Sequence, residues 1–185
     1  MPRIVGGSAK GRTIRLPPGE VRPATARARK ALFDYLGSAL TGAAVLDLYC
    51  GSGGLGLEAL SRGAAEAWFV DSSQAAIHTA RLNGKSLGLL DRAHFACQDA
   101  FGFLRRLPLP AHSPFTLIFA SPPYRIAEPE RILEAVAATD AIKPDGYICL
   151  EYSRHTPKPT SSEFHLKRRK IYGETVVEVW GAAEN

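Results

Sequence analysis

The stretch that decides the fold is Ala44-Val-Leu-Asp-Leu-Tyr-Cys-Gly-Ser-Gly-Gly-Leu-Gly-Leu-Glu-Ala-Leu-Ser-Arg-Gly-Ala64. Its first six residues, apolar apart from Asp47, read as a strand over 44–49. Glycines follow at 51, 53 and 56, and a helix over 55–62 closes on Gly63. Strand, glycine-rich turn and helix in that order allow a tight backbone turn. They also let a ligand lie close to the helix N-terminus.

The same unit recurs downstream. A strand over 67–70 precedes a helix over 73–82 that closes near Asn83-Gly84, and a strand over 94–97 precedes a helix over 100–107. A strand over 115–120 precedes a helix over 130–138, and a fifth strand spans 146–151. This alternation predicts an α/β fold: a mostly parallel sheet with right-handed crossovers and helices on both faces. Segments 166–172 and 175–180 flank Gly173-Glu174 and read as a C-terminal β-hairpin on the sheet edge. Upstream, 3–5 and 13–16 read as two short strands, an N-terminal hairpin extension, before prolines at 17, 18 and 23 break the chain. Thr25 caps a helix running to about residue 40, because Ala28, Ala31, Leu32, Tyr35 and Leu36 recur with helical period. Arg27 and Lys30 point away from that apolar stripe.

In an open α/β sheet, ligands bind beyond the carboxyl ends of the strands, near the point where strand order reverses. Acidic residues stand at three of those ends: Asp47, Asp71 and Asp99. Asp71, 20 residues after Gly51, is placed to accept both hydroxyls of a ribose. The Asp99 carboxylate, or the backbone amide next to it at Ala100, can reach an adenine amino group. Three acidic strand ends around one glycine loop describe an adenosine site. In nicotinamide sites the glycines begin directly at the strand end. Here Asp47 precedes Gly51 by four residues, the Asp-x-x-x-Gly-x-Gly spacing of S-adenosylmethionine sites.

The fourth strand ends in Ser121-Pro122-Pro123-Tyr124. Two prolines remove two backbone donors and fix φ, so the turn is stiff and its carbonyls are free to accept. Ser121 Oγ and the Pro122 carbonyl can receive the N–H groups of an exocyclic amine, and Tyr124 can stack on a base. Such an amine is a poor nucleophile, because its lone pair is delocalised into the ring. Fixed acceptors favour the pyramidal nitrogen of a methyl-transfer transition state. None of the five histidines has a metal-site spacing.

With these residues in view, the sequence resembles the RsmD-type 16S ribosomal RNA guanine-N2 methyltransferases of bacteria. The likeness is carried by 47–64, by Arg3-Ile-Val-Gly-Gly with Lys10-Gly-Arg12, and by Arg22-Pro-Ala-Thr-Ala-Arg-Ala-Arg-Lys-Ala-Leu-Phe33. Pro122-Pro-Tyr and Lys170-Ile-Tyr-Gly-Glu-Thr extend it, so it covers nearly the whole chain. It implies a Rossmann-like class I methyltransferase fold with a seven-stranded sheet, and S-adenosylmethionine as donor. It also implies a guanine exocyclic amine of small-subunit ribosomal RNA as acceptor, met within a particle or assembly intermediate. By that likeness Asp47, Tyr49, Gly51, Gly53 and Gly56 line the methionine side of the cofactor. Asp71 holds the ribose, and Asp99 with Ala100 lies near the adenine. Ser121, Pro122, Pro123 and Tyr124 form the catalytic turn. The family's usual Asp is replaced here by Ser121, and another by Ala26. The other readings of these residues are an adenine-N6 or protein-glutamine methyltransferase, or an RNA-binding assembly protein of the same fold without catalysis. A glutamine enzyme normally has Asn at 121, and a DNA enzyme carries a target-recognition domain for which 185 residues leave no room.

Charge distribution agrees with a polyanionic partner. Residues 1–30 hold eight Lys/Arg against one Glu, and 154–170 hold six against one. The middle, 31–153, has nine basic and 13 acidic residues, within a net charge of +5 for the chain. Lys10, Arg12, Arg22, Arg27, Arg29, Lys30, Lys167 and Arg168 are the candidate phosphate contacts. We therefore expect a basic extension over 1–40 and a methyltransferase domain over 41–185. With no membrane-length apolar run, no signal peptide and no CxxC among three cysteines, a cytoplasmic monomer is expected.

Overall fold

The computed structural model describes residues 1–19, 25–107, 114–124 and 128–182. The chain runs α1 (Ala26–Leu36), β1 (Ala44–Leu48), α2 (Gly54–Ser61), β2 (Glu66–Asp71), α3 (Gln74–Leu87) and β3 (Ala93–Cys97). It continues through α4 (Ala100–Leu104), β4 (Phe115–Ala120), α5 (Pro129–Ala137), β5 (Ile142–Ser153), β6 (Phe164–Tyr172) and β7 (Thr175–Ala182). The seven strands lie in the order β3-β2-β1-β4-β5-β7-β6. The first five are parallel, β7 is antiparallel to β5, and β6 is antiparallel to β7. Successive strands step outward from β1 to β3, and the chain then crosses to the other side of β1 to form β4. Strand order therefore reverses between β1 and β4, which opens a crevice at their carboxyl ends.

Alternate residues of each strand feed two apolar layers. Val45, Phe69, Leu117, Phe119, Cys149 and Val177 pack toward α1, α2 and α3, while Leu46, Leu48, Val70, Ile118, Leu150 and Tyr152 pack toward α4 and α5. Ile4, Ala9 and Ile14 of the N-terminal segment lie in the first layer with Leu32 and Phe33 of α1, so this segment shares the core of the sheet. Its backbone is pinned to α2: the Val5 N–H donates to Glu58 Oε2 at 2.8 Å and the Ala9 N–H to Ser61 Oγ at 2.9 Å.

Four local expectations change. The two N-terminal strands reduce to one antiparallel bridge, Arg3 with Thr13, held by the Ile4 N–H to Arg12 and Ile14 N–H to Pro2 carbonyl bonds, and the segment is further tied to α2 and α3. The helix starting after Thr25, whose Oγ1 accepts the Ala28 N–H, ends at Leu36, and Gly37–Leu40 tightens to a 3₁₀ turn. Helix α3 does not stop at Asn83-Gly84. It runs to Leu87 and is capped by Gly88 in the left-handed conformation, since the Asn83 side chain faces inward as a buried polar clamp. Helix α4 is shorter than expected and ends at Leu104.

Candidate active site

The glycine loop after β1 is held from three sides. Asp47, 1% exposed, accepts the Gly56 N–H through Oδ2 at 2.8 Å. Asp71, at the end of β2, accepts the Gly51 N–H at 3.0 Å and the Ser73 N–H at 2.8 Å. Asn83 donates from Nδ2 to the Ser52 and Arg15 carbonyls, both at 2.9 Å, and its Oδ1 accepts the Arg15 N–H at 2.9 Å. Two glycines are required by this geometry. Gly53 caps α2 with φ of 78°, and a Cβ on Gly56 would stand 2.4 Å from Phe69 Cε1.

Asp99 follows β3 and accepts the Gly102 N–H at 2.7 Å, capping α4. Asp71 and Asp99 thus engage backbone N–H groups, yet each carboxylate has lone pairs left for a ligand hydroxyl or amine. Ala100, the first residue of α4, is buried. Tyr49 leads into the loop with φ of 57°, the one non-glycine among the described residues with positive φ. That conformation costs about 1 kcal/mol and collects at functional sites. Burial, and then the Asp99 charge, hold its hydroxyl above the ordinary tyrosine pKa.

Across the switch point, Ser121 continues β4 next to the β1 loop. Ala120 pairs with Leu150, so the next residues on the two strands, Ser121 and Glu151, fall side by side. The Ser121 hydroxyl donates to Glu151 Oε2 at 3.4 Å. Pro122 is buried, whereas Pro123 and Tyr124 are exposed, Tyr124 by 45%. The Tyr124 hydroxyl is bonded to Thr175 Oγ1 at the start of β7, which fixes the ring at the rim of the crevice.

Of the candidate phosphate contacts, Lys10, Arg12, Arg27, Lys30 and Lys167 are exposed. Lys30 pairs with Asp34 at 2.5 Å, and Arg12 donates to the Ser86 carbonyl. Arg168 of β6 lies over the ring of Tyr35 on α1, 4.7 Å from its centroid, so the two basic segments of sequence meet on one surface. Arg22 lies outside the described residues. Arg29 is a correction: it is 3% exposed and faces inward, so it cannot contact RNA phosphates from the surface. Its Nη1 would lie 3.3 Å from a Cβ on Gly54, and the charges of Glu58 and Glu151 oppose the lowering of its pKa by burial.

Sequence reasoning missed Asn83, Glu58 and Glu151. Asn83 and Glu58 sit inside helices among apolar residues, where only the fold reveals the partner. Glu151 carried the signal that marked Asp47, Asp71 and Asp99, an acidic residue at the carboxyl end of an apolar strand.

The fold and the paired turns at its switch point define a class: the Rossmann-like methyltransferases, whose methyl donor is S-adenosylmethionine. The residues present fit that donor. Asp71 offers lone pairs to ribose hydroxyls, and the Arg29 Nε beside the loop has no hydrogen-bond partner among the described residues. The chain belongs to the conserved hypothetical protein 95 family, whose model matches residues 2–181, and it is of the RsmD type. YlbH of Bacillus subtilis is 34% identical over 180 residues, spanning 96% of this chain and 97% of its own. Ribosomal RNA small subunit methyltransferase D of Escherichia coli is 30% identical over 181 residues, spanning 96% and 88%. The solved structure of YhhF from Escherichia coli superimposes with a TM-score of 0.85 at 30% identity over 97% of each chain. That of TTHA0928 from Thermus thermophilus gives 0.82, also at 30%, over 97% of this chain and 98% of its own. No helix among the described residues is long and apolar enough to cross a membrane.

Proposed function

We propose that this methyltransferase moves a methyl group from S-adenosylmethionine to the exocyclic N2 amine of a guanine in 16S ribosomal RNA. The observation that carries the reading is the position of Ser121-Pro122-Pro123-Tyr124 across the switch point from the Asp47 glycine loop. An acceptor turn and a donor loop at neighbouring strand ends let a nucleophile and a methyl group meet in line. The relatives' names support ribosomal RNA as the substrate class.

When bound, the donor supplies an electrophilic methyl on a sulfonium. Asp71 accepts ribose hydroxyl hydrogens, Asp99 and the Ala100 amide border the adenine, and Tyr49, Gly51, Gly53 and Gly56 shape the methionine side. Ser121 Oγ and the Pro122 carbonyl each accept one N–H of the substrate amine, holding its lone pair toward the methyl. Tyr124 stacks on the extruded base. Ser121 and the Pro122 carbonyl would keep the amine in place through the transfer, after which its nitrogen would lose one proton.

Residues 1–40, with Lys10, Arg12, Arg27 and Lys30, form the RNA-facing extension, and Lys167 and Arg168 continue it from the β6 edge. The protein works as a cytoplasmic monomer on a small-subunit particle or assembly intermediate. The test is labelled methyl transfer to unmethylated small subunits and to naked 16S RNA, followed by nucleoside analysis. N2-methylguanosine from either substrate supports the reading. N6-methyladenosine, or no transfer to either RNA, overturns it.

A further inference from the structure

The Ser121 hydroxyl is an ambiguous group by itself. It can accept an N–H from the substrate amine, or it can turn and donate to the amine nitrogen, which would occupy the lone pair that must attack. The structure removes that ambiguity. Glu151, on the strand next to Ser121, receives the serine proton at 3.4 Å and so leaves the Ser121 lone pairs to accept. A contact of this length in an unliganded site commonly tightens once substrate is bound. Residues of four elements lie around the pair. Ser121 directly follows β4, with Tyr124 just beyond it. Arg29 approaches from α1, with Glu58 of α2 behind it. On β7 the register partner of Glu151 is the apolar Val177. The Arg29 charge is thus influenced by both Glu151 and Glu58, and the Tyr124 hydroxyl also feels the Glu151 charge.

We propose that Glu151 is the positioning carboxylate of the amine site: it orients Ser121 as an acceptor, and it takes the proton released after methyl transfer through that hydroxyl. The inference rests on the methyl-transfer reading above. The N–C bond forms and the C–S bond breaks, leaving the nitrogen positively charged. One N–H proton passes to Ser121 Oγ while the serine proton passes to Glu151, and Glu151 later loses it to water. Burial raises the Glu151 pKa to about 7, against the opposing effects of the Ser121 hydrogen bond and the Arg29 charge. A carboxylate at that pKa can take a proton and return it near neutrality. The carboxylate expected at position 121 is, on this view, supplied from the neighbouring strand.

The experiment measures kcat for methyl transfer to 16S RNA between pH 5.5 and 8.5 for wild type, E151Q, S121A and the double variant S121D/E151Q. Calorimetric affinity for S-adenosylhomocysteine serves as the check that each variant is folded. Wild-type kcat should rise with pH through a single inflection near 7. E151Q should lose tenfold or more at pH 8 and show no inflection, with product affinity unchanged. S121A should lose the inflection as well, and S121D/E151Q should recover most of the wild-type rate by moving the carboxylate from β5 to β4. If the wild type transfers methyl but E151Q matches it within twofold and keeps the inflection, Glu151 has no such role. Failure of the double variant to recover, with product affinity intact, also overturns the proposal. If the wild type itself transfers no methyl to RNA, the functional reading fails and this inference with it.

Discussion

Asp47 Oδ2 accepts the backbone N–H of Gly56, nine residues along the chain, at 2.8 Å. One buried carboxylate therefore ties the last residue of β1's inward face to the first turn of α2. The bond draws on the partial positive charge of a helix N-terminus, where an anion is favoured. Asp47→Ala removes it and leaves the Gly56 donor without its partner, so about 2–4 kcal/mol of stability should be lost. Donor affinity should fall with it. Denaturant unfolding and product calorimetry on the same variant check both.

Gly56, in the first turn of α2, is tightly enclosed. A Cβ there meets Phe69 Cε1 at 2.4 Å and Cζ at 2.8 Å, and Phe69 is itself stacked on Phe95 at 5.1 Å. The ring has little freedom to withdraw, so Gly56→Ala should cost roughly 1–3 kcal/mol. Adding Phe69→Leu should recover part of that loss. Equal destabilisation in the single and double variants would show that the clash is relieved elsewhere.

Asp71 holds the Gly51 and Ser73 amides and is proposed to hold the ribose. Asp71→Ala should weaken S-adenosylmethionine binding about 10–100-fold, the effect of losing charged hydrogen bonds. Calorimetry reads this directly. Wild-type affinity would remove Asp71 from the cofactor site.

Tyr124 is exposed by 45% and bonded only through its hydroxyl to Thr175 among the contacts described for it. Tyr124→Ala should lower kcat on RNA by about 10–100-fold, the worth of one base stack, with donor affinity unchanged. Tyr124→Phe separates the ring from its hydroxyl. If stacking is the role, this variant keeps most of the rate.

The surface joined by Arg168 and Tyr35 predicts a salt response. RNA affinity should fall steeply with salt, and each of Arg27→Ala, Lys30→Ala and Lys167→Ala should reduce the log–log slope by roughly 0.7–0.9. Arg29→Ala should behave differently, because that side chain is buried. Its effect should be lost stability rather than a shallower slope. A flat salt response in the wild type would leave the basic termini without an RNA role.

Much of the fold was legible in the chain because its signals are local. Apolar strand cores such as 45–48 and 115–120, the Thr25 cap and the glycines after β1 all act over a few residues. Asp47, Asp71, Asp99 and Ser121 could be singled out for the same reason, since each stands within two residues of the end of such a strand. The N-terminal hairpin was legible only in outline, as a single bridge, and its anchoring was not, because the Val5, Ala9 and Arg15 amides donate to Glu58, Ser61 and Asn83, between 52 and 68 residues away. The end of α3 was misread because Asn83-Gly84 imitates a helix stop. The local pattern cannot show that Ser52 and Arg15 are waiting for that amide.

By itself, then, the sequence determined the class of the fold and the strand ends where the candidate site residues stand, since periodicity and turn residues act through short-range sterics and hydrogen bonds. Which groups face each other across the crevice was decided only by the tertiary structure. Sheet register sets Glu151 beside Ser121, and helix packing turns Arg29 from a surface cation into a buried one. Both outcomes depend on residues far apart in the chain reaching contact distance, and no local pattern encodes that.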